Sequence, residues 1–182
     1  IKKILLADPV ASIINPVFAN PNEYTAFSLF MGGILYTIQV YADFSGLTDM
    51  ARSVAYFLGL MWADGSICKK TYRIILEITK DDLDTILPNL NKIGIWDVYE
   101  RDRNNWKTQK QISTSNYYIH SFLVENQYLI KSTTSPDKIL SKIPKELQHY
   151  FFRGWTDGDG HFQDKGGNYY FCITGEELTI NL

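Results

Sequence analysis

The chain predicts an α+β protein. One half has the order helix–strand–strand–helix–strand–strand–helix, a second pseudo-symmetric half begins after it, and an α-helical, membrane-like segment stands in front. Three observations predict this: a change of composition near residue 52, a ten-residue element that occurs twice, and strand-period alternation behind its first copy. The expected organisation is 1–52 as the membrane-like segment, 53–150 as the first half-domain and 151–182 as the start of the second. With 45% hydrophobic residues the chain can offset the entropy of ordering, which excludes a disordered protein. Cys68 and Cys172 are too few for a disulfide scaffold or a four-thiolate zinc site. The net charge of -2 carries no global sign of a nucleic-acid binder, but it averages two unlike pieces.

The first piece holds 2 of the 18 Lys/Arg and 4 of the 20 Asp/Glu within residues 1–50. Ile4 to Phe18 has the single charge Asp8, and Thr25 to Ala42 has none. Those 18 residues are at the short end of what spans a bilayer. Gly32 and Gly33 in the run are tolerated in membrane helices and penalised in soluble ones. A buried helix or strand of a soluble core is the alternative. A secretory signal fits poorly, because the run lies too far in. The start at Ile1-Lys2-Lys3 reads as a fragment or a processed product.

The strings KKILLADPVASIINPVFANP and YTIQVYADFSGLTDMA (Tyr36 to Ala51) resemble the membrane-bound O-acyltransferase family. In that family a near-identical Q-x-Y-x-DFSG-x-x-DMA string sits in a multi-helix membrane core. The resemblance ends after Ala51. Its catalytic His lies further on, and neither His120, His149 nor His161 has a matching context, so Asp43 and Asp49 read as structural.

The second piece carries the repeat. Tyr56 to Gly65 (YFLGLMWADG) and Phe151 to Gly160 (FFRGWTDGDG) share an aromatic pair, an internal Gly and a terminal Asp-Gly. Gly59 and Gly154 inside helices cost about 1 kcal/mol each relative to Ala. They make sense where two helices approach too closely for a Cβ, Gly face to Gly face. Gly65 and Gly160 are expected to end each helix in the left-handed conformation. Paired helices would bring Asp64 and Asp159 together at the negative end of both dipoles. Such crowding calls for a divalent cation, and hard, oxygen-ligated Mg²⁺ suits it.

The elements between the copies follow from period. Lys69 to Lys80 alternates, with Tyr72, Ile74, Leu76 and Ile78 on one side and Arg73, Ile75 and Glu77 on the other, which predicts a half-buried strand. Asp82 to Ile93 places Leu83, Ile86, Leu87, Leu90 and Ile93 on one helical face, bent or interrupted at Pro88. Ile95 to Arg101 and Lys110 to Thr114 read as strands, Tyr117 to Val124 as a helix, and Tyr128 to Ser132 as a connector. Pro144 starts the second motif helix. Within 101–145 eight Lys/Arg face three acids, a modest footprint for a phosphate backbone.

Both copies resemble the LAGLIDADG motif of homing endonucleases, as FLGLMWADG (Phe57 to Gly65) and FRGWTDGDG (Phe152 to Gly160). The first departs at Trp62, where an acidic residue is usual. The resemblance implies site-specific, metal-dependent hydrolysis of double-stranded DNA by a pseudo-dimer within one chain. Asp64 and Asp159 would be the catalytic metal ligands, with Mg²⁺ or another divalent cation. The family adds the carbonyls of Ala63 and Gly158, and often a catalytic lysine, for which Lys131 in YLIKS is the candidate. His161 is a candidate for water relay or an ordinary solvated residue. Arg73, Arg101, Arg103, Lys107 and Lys110 are the DNA-binding candidates.

With 22 residues after Gly160, the second half reads as truncated, and the chain is expected to bind DNA weakly and cleave poorly. An endonuclease behind an acyltransferase start implies a mobile intron or intein in an acyltransferase gene. An intein fits less well, since no splicing domain stands between Ala51 and Tyr56. Such a protein would be intracellular, its first segment membrane-like. Three alternatives remain: a non-catalytic nucleic-acid-binding module, a maturase acting on intron RNA, and a fragment of a membrane acyltransferase.

Overall fold

The computed structural model describes residues 2–101, 109–165 and 168–173, and the side chains of these except 101, 109, 162–165 and 168–172. The chain divides into two compact units, Ile1–Ala51 and Arg52–Leu182.

In the first unit, one turn of π-helix (Lys3–Ala7) leads into α1 (Asp8–Ala19). A 3-10 turn at Pro21–Glu23 then precedes α2 (Ala26–Ala63), whose first two-thirds belong to this unit. The start of α2 is capped by Thr25, whose Oγ1 accepts from the Ser28 amide at 3.2 Å. The two helices run antiparallel. Lys2 pairs with Asp49 at 2.7 Å, and the Phe18 and Tyr36 rings meet edge-on at 6.0 Å. Lys3 lies 3.9 Å from Asp43, so both acids of the DFSG–DMA string face the two N-terminal lysines.

From Ala26 to Ala42 the run is helical within α2, but no helix among the described residues is long and apolar enough to cross a membrane. The expectation of a spanning run is corrected to that extent. Large apolar side chains nevertheless stand exposed here, among them Phe27, Phe30 and Phe44.

The second unit begins with the end of α2. It continues through β1 (Gly65–Ile67), β2 (Arg73–Thr79), α3 (Leu83–Leu90), β3 (Asp97–Arg101), β4 (Gln109–Ser115) and α4 (Tyr117–Glu125). A 3-10 segment, Tyr128–Thr133, and α5 (Asp137–Leu140) connect to α6 (Gln148–Asp159), and β5 (Gly160–Lys165) pairs with β6 (Asn168–Ile173). The antiparallel sheet has the order β1-β2-β4-β3. One face, with Ile74, Leu76, Ile78 and Ile112, packs into the core with Phe57, Leu60, Met61, Leu90, Leu123, Ile139 and Phe151. Within α3, Pro88 removes one backbone donor, and the helix ends two residues later. Asn116 caps α4 by accepting from the amides of Tyr118 and Ile119.

Two helices form the centre of this unit. A Cβ on Gly59 would lie 1.9 Å from the Phe151 carbonyl oxygen, and one on Gly154 would lie 2.1 Å from that of Tyr56. One turn further on, a Cβ on Gly158 would lie 2.4 Å from the Ala63 Cβ. The contact points advance together in both helices, so the end of α2 and α6 run parallel, backbone against backbone. The caps differ from expectation. Gly160 has φ -75° and ψ 138°, extended rather than left-handed. Gly65 is needed for space instead, since its Cβ would fall 2.6 Å from the Met61 carbonyl oxygen where the chain turns back into β1. The strand predicted from Lys69 starts at Arg73, and α5 had no counterpart in the sequence reading.

Gly59→Ala or Gly154→Ala forces backbone against backbone, so each should cost at least the upper part of the usual overpacking range of about 1–3 kcal/mol. Gly94→Ala, with open space around it, should change stability by less than about 0.5 kcal/mol. Urea denaturation of the full chain checks both; wild-type stability in Gly154→Ala contradicts the contact.

Candidate functional site

The parallel helices end side by side, and their last residues build the site. Asp64 follows α2 directly, its amide bonded to the Leu60 carbonyl at 3.0 Å, and Asp159 is the last residue of α6. Both helix dipoles put their negative ends here. Lys131, from the 3-10 segment after α4, enters the same place. Its Nζ donates to the Met61 carbonyl at 3.0 Å and also to the Ala63 carbonyl. A cation bound to the last carbonyls of a helix stabilises it by about 0.3–1 kcal/mol, and up to ~2 kcal/mol when partly buried. Tyr128, in the same segment, donates to the Leu58 carbonyl at 2.9 Å and packs edge-on against Trp62 at 5.1 Å. The segment is thereby fixed along α2, and Trp62 serves as its packing partner.

The electrostatics are those of a crowded acid pair beside Lys131. Burial raises the Asp64 carboxyl above its ordinary range and the charge of Asp159 raises it further, while Lys131 opposes both. Burial also raises Asp159, against Lys131 and a hydrogen bond from Trp155. Lys131 is lowered from 10.5 to about 8 by burial, against the pull of Asp159 and Asp64. The three groups therefore share one electrostatic environment. Among the described residues no three His, Cys, Asp or Glu side chains cluster to hold a metal. The donor set is two carboxylates with nearby main-chain oxygens, which suits Mg²⁺, since that ion commonly keeps several waters and takes one or two carboxylates. The Ala63 carbonyl, a predicted ligand, accepts from Lys131. Gly158 is pressed against Ala63 and Asp64.

The predicted DNA contacts divide. Arg73 is exposed, donates to Ser113 Oγ at 3.2 Å and lies over the Tyr99 ring at 5.7 Å. Lys110 is mostly covered and paired with Glu100, so it is not the open phosphate contact expected of it. Arg103 and Lys107 lie outside the described residues, as does the side chain of Arg101. The basic excess counted over 101–145 is also partly used within the fold. Lys138 donates to the Glu125 carbonyl at 2.6 Å, Lys142 pairs with Glu125 at 3.2 Å, and Lys131 is at the acid pair. His161 is exposed at the start of β5.

The pairing register identifies residues that a count of cations overlooks. On the sheet face away from the core, Ile75 stands opposite Ser66 and Ser113, and Gln111 stands between Glu77 and Tyr99. Gln111 and Tyr99 are hydrogen-bonding side chains on neighbouring strands, and only knowing which strands pair puts them in one row; Ser113, one row along, is buried and accepts from Arg73.

No family model matches the chain. Part of it is similar to curated proteins. Over 64 residues, 35% of the chain, it is 34% identical to the probable alginate O-acetylase AlgI of Pseudomonas aeruginosa. Over the same length it is 36% identical to AlgI of Pseudomonas putida and of Azotobacter vinelandii. The chain spans 12% to 13% of the length of these relatives. This partial homology supports an acyltransferase-like fragment within the chain.

Without divalent cations, the lowered Lys131 makes the unfolded chain bind more protons than the folded one between about pH 8 and 10.5. Wild-type stability should therefore rise, relative to Lys131→Met, as pH increases from 8 toward 10. Asp64→Asn removes one of two crowded charges and should match or exceed wild-type stability in the same buffer at pH 7. Chemical denaturation across pH checks both; a Lys131→Met curve parallel to wild type contradicts the first.

Proposed function

We propose that the second unit is a nuclease of the LAGLIDADG type, hydrolysing phosphodiester bonds of double-stranded DNA with Mg²⁺ or a similar divalent cation. The observation that carries this reading is the convergence of Asp64, Asp159 and Lys131 at the joined ends of two helices in backbone contact. A purely structural helix pair has no use for two acids at its negative end. The cation, when bound, supplies Lewis-acid polarisation of the scissile phosphate. Asp64 and Asp159 would hold it, with the Gly158 carbonyl, and with the Ala63 carbonyl once Lys131 shifts. Lys131 stands beside both acids with a near-neutral pKa, so its ammonium can neutralise charge developing on a phosphoryl oxygen or yield a proton to it. The outer sheet face, with Arg73, Gln111 and Tyr99, offers the mixed donors and acceptors that base edges require.

A second reading applies to the first unit. The similarity to alginate O-acetylases, together with the DFSG and DMA strings, favours a piece of a membrane-bound O-acyltransferase. Its exposed Phe27, Phe30 and Phe44 suit a segment whose natural neighbours are other helices or lipid. A mobile intron or intein within an acyltransferase gene unites the two readings.

Incubating the full chain with a randomised duplex pool, then sequencing newly formed ends, tests the nuclease reading. Cuts should cluster at a recurrent sequence with Mg²⁺, vanish with EDTA, and vanish in Asp64→Asn and Asp159→Asn. Identical end profiles in all four samples contradict it.

A further inference from the structure

Away from the acid pair, three tyrosines form a row on the surface. Tyr72 stands just before β2 with the parity of Ile74, Leu76 and Ile78, which turn to the core. It therefore belongs to the helix-bearing side of the sheet, whereas Arg73 and Gln111 belong to the outer face. Its ring meets Tyr117 edge-on at 5.0 Å and His120 at 5.5 Å, and Tyr117 meets Tyr118 at 5.6 Å. His120 is buried and holds the Cys68 carbonyl at 3.0 Å, which fixes the bend that carries Tyr72. The Asn116 cap fixes the other two at the start of α4. The rings are thus positioned, yet Tyr72 and Tyr117 are 55% exposed and Tyr118 82% exposed.

Two lysines precede the row in the chain. Lys69 and Lys70, both exposed, sit in the bend before Tyr72. Neither contributing segment, 65–76 or 109–124, contains an Asp or Glu. Positioned aromatic rings with two exposed lysines beside them in the chain suit a ligand with flat π-faces on an anionic backbone. A fully paired duplex hides its base faces; unpaired bases present them.

We propose that Tyr72, Tyr117 and Tyr118 form a stacking site for unpaired nucleotides, with Lys69 and Lys70 on their phosphates. It shares the nucleic-acid reading made for the acid pair and the outer sheet face but uses a different surface, so the two can fail separately. Fluorescence anisotropy of the full chain with a labelled oligothymidylate of about 12 nucleotides, and separately with a blunt duplex, tests it. Tyr118→Ala should weaken the oligothymidylate about tenfold or more, Tyr118→Phe should retain it, and neither should change duplex binding. Tyr118 is exposed enough for both variants to fold, which their melting curves verify. Equal oligothymidylate affinity for wild type and Tyr118→Ala overturns the site, as does duplex binding without oligothymidylate binding. Binding of neither probe overturns the nucleic-acid reading as well.

Discussion

The second unit depends on one backbone contact, the approach of Gly59 to Phe151 and of Gly154 to Tyr56. Each glycine costs helix propensity, and the contact offsets that cost only because both helices lack a side chain at the same crossing. Once the helices lie parallel at this spacing, much else is fixed. Asp64 and Asp159 end one turn beyond the crossing at one place, β1 and β5 both leave from there, and the sheet follows from β1. Gly158 against Ala63 extends the same close packing to the edge of the acid pair.

That geometry concentrates negative charge, and Lys131 is placed against it. Lys131 reaches the last carbonyls of α2 from a segment anchored by Tyr128, so its position is set by packing rather than by attraction alone. Burial leaves it easier to deprotonate than a surface lysine, and leaves the two carboxyls harder to ionise. A cluster this unfavourable is the kind of local cost that marks a working site more often than a structural one. The proposed chemistry uses the same three groups that the fold has difficulty accommodating.

The sequence made the local features legible and the non-local ones much less so. Gly59, Gly154, Asp64 and Asp159 stood out because each belongs to a repeated string, and the alternation of Ile74, Leu76 and Ile78 marked a core face directly. The conformation of Gly65 and Gly160 was misjudged because an Asp-Gly ending looks the same whether the glycine is needed for a positive φ or for space. Lys110, Lys138 and Lys142 counted as a basic surface, yet each has a partner 10 to 17 residues away on another element. The outer-face row of Glu77, Gln111 and Tyr99 required the β2-β4-β3 register, which no single strand contains. In the first unit a charge-free run suggested a span, but no helix among the described residues is long and apolar enough to cross a membrane.

Calorimetric titration of Mg²⁺ into the full chain tests most directly whether the glycine contact builds a two-carboxylate site. The account predicts saturable binding in wild type, with Asp64→Asn and Asp159→Asn each weakening it severely and the double substitution adding little more. Mg²⁺ binding that either single substitution leaves unchanged would contradict the shared site.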